Sequence, residues 1–267
     1  QVAKLEALVR WQHPQHGLLS PDRFIGIAEA NGLIADLDLW VLRHACQDLA
    51  QLNRHGFSEL KVTVNCSALT LGREELARDV ADALEQAGLS ARQLELEVTE
   101  NALMGNINCT IALLKDIRAL GVSLSIDDFG TGYSSLAYLK RLPLDTLKID
   151  RSFIQDVPRS RQDMEIVQAI IIMAHTLHLQ VITEGVETME QYQFLAQQGC
   201  DFVQGYLLSR PVPMGELRPV LSRLDQREES VLANFTPYVG TDQSVSQDLF
   251  ADSPDFHAGA SAVRPSR

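Results

Sequence analysis

Short apolar runs alternate along the chain with longer stretches in which apolar residues recur every three or four positions. The short runs predict strands at 2–9 (VAKLEALV), 60–66 (LKVTVNC), 93–99 (QLELEVT), 122–127 (VSLSID), 145–149 (DTLKI), 180–183 (QVIT) and 201–204 (DFVQ). The helical spacing falls at 34–54, 71–87, 106–119, 162–178 and 188–198. Ser20-Pro21 opens a further helix, with Ser as N-cap and Pro at the first helical position, and Gly32 ends it. Gly88, Gly121 and Gly199 stand where a helix hands over to the next strand. Strands and helices in this alternation predict a parallel sheet.

Seven strands are one short of a closed (β/α)8 barrel. Either the barrel is open or one strand precedes Gln1. The chain starts directly in a strand and without Met, so it reads as a piece of a longer protein, with any membrane anchor or sensor upstream. Beyond about residue 225 the composition shifts to Ser, Asp, Gly, Ala and Pro with no sustained period. This predicts one folded domain over 1–224 and a disordered C-terminal tail over 225–267. Phe235, Tyr238, Phe250 and Phe256 are scattered apolar residues within that tail.

Composition narrows the classes. In 267 residues, 45% are hydrophobic, enough for a sizeable core, and the net charge is −12. That balance argues against DNA as a partner, because nucleic-acid grooves work through bulk positive charge. It permits a small anionic substrate where metal ions supply the local positive charge. Cys46, Cys66, Cys109 and Cys200 form no CxxC pair and read as reduced thiols of a cytoplasmic protein. No run of ~18 apolar residues suggests a membrane span.

The chemistry gathers at the ends of the strands. Glu6, Asn65, Glu97, Asp127, Asp128, Lys148 and Glu184 each sit at or just after a strand end, and in an α/β barrel those ends converge on one mouth. Any one of them is an ordinary helix cap or solvated loop charge. Five carboxylates meeting in one mouth would repel without cations. Such an oxygen-rich set suits Mg²⁺ or Mn²⁺. The adjacent Asp127 and Asp128 suit a bridge between two ions ~3.5–4 Å apart, the clamp used for phosphoryl displacement. Lys148, flanked by apolar residues in LKID, suits a role in orienting or helping to deprotonate water, or in stabilising transition-state charge. Asp128-Phe129-Gly130 spells a kinase motif without the Gly-rich or HRD loops, so Gly130-Thr131-Gly132-Tyr133-Ser134-Ser135 reads instead as a loop at the barrel mouth. The seven histidines suggest no zinc site.

These residues lie in segments that together resemble the EAL-domain family of cyclic-di-GMP-specific phosphodiesterases. The segments are EALVRW (6–11), HP..G...P..FI..AE (13–29), VN.S (64–67), E.TE (97–100), DDFGTGYSSL (127–136), LK.DR.F (147–153), EGVE (184–187) and QGYLLSRP (204–211). The resemblance implies a TIM-like barrel with one antiparallel strand, hydrolysis of cyclic-di-GMP to linear pGpG, and two Mg²⁺ or Mn²⁺ ions per site. It implies Glu6, Asn65, Glu97 and Asp127 as ligands of one ion, and Asp127, Asp128 and Glu184 as ligands of the other. Lys148, with Glu184 and Glu6, is the implied catalytic set, Lys148 positioning the nucleophilic water. Leu8, Arg10 and Gln204 correspond to substrate-side residues, Gln204 also holding solvent. Glu100 corresponds to a glutamate that steadies the loop after Asp128. A homodimer and an upstream sensory or diguanylate-cyclase-type domain are further implications. The family's N-terminal strand has no counterpart here, in line with the count of seven, and Thr183 precedes Glu184 where Ala is common in the family. A cyclic-di-GMP receptor without turnover remains an alternative. From the residues alone so does an enolase-like enzyme with Mg²⁺ carboxylates and a Lys base, although the adjacent aspartates argue against it.

Overall fold

A computed structural model describes residues 2–104, 107–130, 139–233 and 257–263. Seven strands stand side by side in chain order: β1 (Val2–Leu8), β4 (Lys61–Cys66), β5 (Leu94–Thr99), β6 (Ser123–Phe129), β7 (Thr146–Ile149), β8 (Gln180–Thr183) and β9 (Phe202–Val203). Every neighbouring pair among them is parallel. Each expected strand is therefore present, with ends shifted by at most two residues. A small hairpin, β2 (Trp11–His13) with β3 (Gly17–Leu19), interrupts the pattern after β1.

The helices wrap the outside of the curled sheet. They are α1 (Ile25–Ala30), α2 (Ile34–Arg54), α3 (Ala68–Leu71), α4 (Leu76–Ala87), α5 (Ile107–Ala119), α6 (Arg161–Thr176), α7 (Met189–Gln197) and α8 (Met214–Ala233). In α2 the buried residues Leu39, Leu42, Cys46 and Leu49 recur at three and four, so one face packs on the sheet. Local chemistry sets the ends. Ser67, Ser160 and Thr188 cap α3, α6 and α7 through their hydroxyls, and Thr188 with Gln191 forms a full capping box. Ser20 makes no side-chain cap. The expected helix from Ser20-Pro21 is a single 3-10 turn over Pro21–Arg23, followed by α1. Gly88 closes α4 in the left-handed conformation, at φ 67.

Two described elements reach into the segment over 225–267 that the composition reads as a mostly disordered tail. Helix α8 crosses that boundary and continues to Ala233. Residues His257–Val263 form a strand, β11, after the short β10 (Val212–Pro213). β11 runs antiparallel to β1, from Val2↔Val263 to Leu8↔His257, and it also pairs with β9 and β10. The position beside β1 that the count of seven leaves open is thus taken by the C-terminal segment. HAGASAV offers little side-chain signal for a strand, but the edge of β1 presents a row of backbone donors and acceptors to any extended segment within reach. The expectations for Phe235, Tyr238, Phe250 and Phe256 fall outside the described residues. Among the described residues no helix is long and apolar enough to cross a membrane. All four cysteines are free thiols, with Cys46, Cys66 and Cys200 buried.

Candidate active site

Successive side chains on a strand alternate between faces, so residues two apart on each barrel strand share the interior. At the carboxyl ends of the strands this places Glu6 (β1), Asn65 (β4), Glu97 (β5), Asp127 (β6) and Lys148 (β7) around one point. Glu184 and Gln204 join them from the first residues after β8 and β9. Lys148 is fully buried at the centre. Its Nζ lies 2.8 Å from Glu97 Oε2, 3.3 Å from Asp127 Oδ1 and 2.6 Å from Glu184 Oε1. Glu6 is held from both sides, Asn65 Nδ2 donating to its Oε1 at 3.0 Å and Gln204 Nε2 to its Oε2 at 2.6 Å. Sequence positions spread over nearly 200 residues thus meet in one cluster.

The charges strongly perturb one another. Burial disfavours the Lys148 ammonium, but Glu184, Glu97, Glu6 and Asp127 outweigh it and hold its pKa well above that of an ordinary lysine. Glu97 is pushed well above the usual carboxylate range by burial, with Glu6 and Asp127 adding to the push and Lys148 opposing it. Glu184 is pushed up to about 7, again chiefly by burial and against the pull of Lys148. Such shifts, in a cleft and with specific charge partners, make the cluster a candidate functional centre.

Asp127 and Asp128 would face opposite sides of a regular strand. The β6–β7 pairing slips between Ile126 and Phe129, and Asp128 adopts φ 55, left-handed for a residue that is not glycine. The irregularity keeps Asp128 within electrostatic reach of Asp127, Asp150, Lys148 and Glu6, and burial is the main cause of its raised pKa. The Asp128 N–H donates to Asp127 Oδ1 at 2.9 Å. Glu100 lies outside the cluster and beneath this turn. Its N–H donates to the Asp127 carbonyl at 3.2 Å, and its Oε2 accepts from the Gly130 N–H at 3.2 Å. Gly130 has φ 95, and a Cβ there would sit 2.9 Å from the Phe153 ring. The mouth-loop residues Thr131–Ser135 lie outside the described residues.

At the rim, Arg10 follows β1 and donates from Nη1 to the Val9 carbonyl at 2.9 Å. Burial lowers its pKa, opposed by Glu6, Tyr206 and Asp22. Leu8 and Asn65 border a cavity of about 420 Å³ whose other walls include Val9, Ile25, Ile34 and Asp38. Asp38 was no part of the expected site. Its Oδ2 accepts from the Ser67 N–H at 2.9 Å and from the Thr70 hydroxyl at 2.6 Å.

A second polar layer, also unexpected, lies one residue pair deeper in the barrel. Lys4 Nζ donates to Glu95 Oε1 and Oε2 at 2.9 and 2.7 Å and to Thr146 Oγ1 at 3.2 Å. The three are 3%, 0% and 0% exposed. The signal for it stands in the strands themselves, where Lys4-Leu5-Glu6, Glu95-Leu96-Glu97 and Thr146-Leu147-Lys148 each place polar residues two apart.

Among the described residues no three His, Cys, Asp or Glu side chains are grouped so as to hold a metal ion as they stand. The carboxylates are turned onto Lys148 instead. The donor set is nonetheless all oxygen and already converges on one cation, the chemistry that a hard divalent ion requires.

Seven parallel strands whose ends join buried carboxylates around a charged lysine define an α/β-barrel protein with an anionic, oxygen-rich cleft at its mouth. The chain belongs to the EAL domain family, whose model matches residues 1–211. It is 64% identical over 221 residues to the cyclic di-GMP phosphodiesterase NbdA of Pseudomonas aeruginosa, a match covering 83% of this chain and 28% of that protein. It is 45% identical over 213 residues to the bifunctional diguanylate cyclase/cyclic di-GMP phosphodiesterase MucR of the same organism, covering 80% of this chain and 31% of the relative. The chain therefore spans about a third or less of the length of these curated relatives. Among solved structures it resembles the PaMucR phosphodiesterase in complex with c-di-GMP, with TM-score 0.77, 45% identity and coverage of 80% of this chain and 87% of that one.

Proposed function

We propose that this domain hydrolyses one phosphodiester bond of cyclic-di-GMP to give linear pGpG, using two Mg²⁺ or Mn²⁺ ions. The observation that carries the reading is the Lys148 ammonium bound by Glu97, Asp127 and Glu184 at converging strand ends, beside a Glu6 fixed by Asn65 and Gln204. The relatives named for this activity support it.

Glu6, Asn65, Glu97 and Asp127 would hold one ion, and Asp127, Asp128 and Glu184 the other. When bound, the ions supply positive charge for the scissile phosphate and lower the pKa of the attacking water. In the reaction a water oxygen bonds to phosphorus and the P–O3′ bond breaks, leaving a 5′-phosphate and a 3′-hydroxyl. Lys148 Nζ, kept protonated by its carboxylate ring, acts as a hydrogen-bond donor to the water or the phosphoryl oxygens and not as the base. Arg10 at the rim serves the phosphates and Leu8 lines the substrate side. The adjoining cavity has apolar walls and the Asp38 carboxylate, which suits a flat nucleobase with N–H donors. Glu100 steadies the turn that carries Asp128.

A receptor that binds without cleaving is disfavoured, because every acid, amide and lysine of the implied set is present. The reading implies a bacterial cytoplasmic domain, residues 1–224 as its catalytic unit, a homodimer, and a sensory or cyclase-type domain upstream. Incubation with cyclic-di-GMP and Mn²⁺, then with EDTA, separates the possibilities by chromatography. Mn²⁺-dependent pGpG is the expected product. Intact cyclic-di-GMP bound to folded protein would favour the receptor.

A further inference from the structure

The catalytic layer has a counterpart beneath it on the same strands. Lys4 lies two residues before Glu6 on β1, Glu95 two before Glu97 on β5, and Thr146 two before Lys148 on β7. Two residues along a strand advance it by roughly 6.6 Å. The lower set is therefore one pleat repeat below the upper.

None of these three strands neighbours another. β4 separates β1 from β5, and β6 separates β5 from β7. Backbone ladders link them only through intermediaries. Lys4 spans the interior directly, engaging both oxygens of Glu95 and the hydroxyl of Thr146, with the Phe202 ring 5.3 Å from its Nζ. A buried ion pair contributes little net stability, since well-packed apolar residues of similar volume do as well or better. Here it ties β1 to two strands that are not its neighbours. It also sorts the two carboxylates of β5 that face the interior. Lys4 takes Glu95, which leaves Lys148 to Glu97, Asp127 and Glu184.

We propose that Lys4, Glu95 and Thr146 form a positioning layer that holds Glu6, Glu97 and Lys148 in register across the barrel. These are positioning residues, not catalytic ones, because they reach the reacting groups only through the strands above them. The inference rests on the metal-dependent reading of the upper layer.

The test compares the wild-type chain with Lys4→Met, Glu95→Gln and the double variant Lys4→Met/Glu95→Met. Calorimetric titration with Mn²⁺ gives metal affinity, thermal unfolding gives Tm, and steady-state hydrolysis gives kcat and KM separately. Partners hydrogen-bonded directly to metal ligands typically cost 10- to 100-fold in metal affinity when removed, and Lys4→Met, one step further from the ligands, should lose about tenfold in Mn²⁺ affinity and in kcat. KM for cyclic-di-GMP should stay within about twofold, since no substrate contact is touched. The double variant should recover Tm without recovering Mn²⁺ affinity. Recovery of both would make the layer a stability element and overturn the proposal, as would wild-type affinity and kcat in folded Lys4→Met. If Lys4→Met does not fold, Glu95→Gln and the double variant decide by the same two readouts. A wild-type chain that binds no Mn²⁺ sinks the metal reading itself, whereas a wild type that binds beside unchanged variants sinks only the positioning layer.

Discussion

Lys148 Nζ stands 2.6 Å from Glu184 Oε1, the shortest of the three carboxylate contacts that this buried ammonium makes. The pair joins β7 to the first residue after β8, and it joins a cation that burial disfavours to a carboxyl that burial also disfavours as an anion. Each charge is tolerable because of the other. The ammonium occupies the centre toward which the oxygens of the site point, so its removal and the addition of divalent ions act on the same electrostatic balance.

Replacing Lys148 by Met should therefore separate chemistry from binding. Loss of one preorganised hydrogen-bond donor to developing charge typically costs about 10²–10³-fold in rate, and turnover should fall by that order. Mn²⁺ affinity should be retained, because no proposed ligand is lost. Parallel measurement of kcat and of Mn²⁺ binding checks this, and a variant that loses both in proportion would place Lys148 in a structural role.

Glu6→Gln and Asp127→Asn should abolish metal-dependent turnover. Glu6 already has both oxygens engaged, by Asn65 and Gln204, so a glutamine there would set an amide N–H₂ against a donor as well as remove charge. Metal-dependent product should fall to the background rate, because the ions that supply charge and an activated water lose a ligand. Wild-type rates in purified Glu6→Gln would refute the site.

Gly205 follows Gln204 at φ 156, and a Cβ there would run into the Val186 backbone at its N, C and O atoms. Backbone cannot yield as a flexible side chain can, so Gly205→Ala must displace the turn that aims Gln204 at Glu6. The expected result is a loss of roughly 1–3 kcal/mol of stability, as for other overpacked positions, together with a lower kcat. Chemical denaturation and a hydrolysis assay read the two effects, and an unchanged variant would show that the turn relaxes freely.

Stability should depend on pH through Glu184. Its carboxyl is raised from 4.5 to about 7 in the folded chain. Between those values the folded state keeps a proton that the unfolded state has released. The group's contribution therefore falls as pH rises through that window and levels off above it. Without metal, the wild-type Tm should drop more steeply from pH 5 to 7 than that of Glu184→Gln. Saturating Mn²⁺ should flatten the wild-type curve, since a bound cation replaces the proton. Equal slopes in the two metal-free proteins would rule out Glu184 as the titrating group.

Much of this molecule was legible in the chain itself. The seven parallel strands were, because buried strands leave short Val, Ile and Leu runs between helical periods. The polar residues at their ends were, because a barrel has only one mouth for them to share. The hairpin of Trp11–His13 with Gly17–Leu19 was not, since three-residue strands are too short to show alternation. Helix α8 was not read from the sequence at all, since Pro219 and a polar stretch blur its helical period. Nor could strand order reveal that residues 257–263 lie against β1, a pairing made by backbone groups and by almost no side-chain pattern. The meeting of Lys4 with Glu95, 91 residues away, was equally hidden, as was the slip in β6 that turns Asp128 back toward the mouth. The sequence by itself determined which chemistry the chain carries and on which strands, because periodicity and residue type are local. Only the tertiary structure decided which charges pair, how deeply they are buried and which of them keep their protons, because those depend on partners that the chain brings together from far apart.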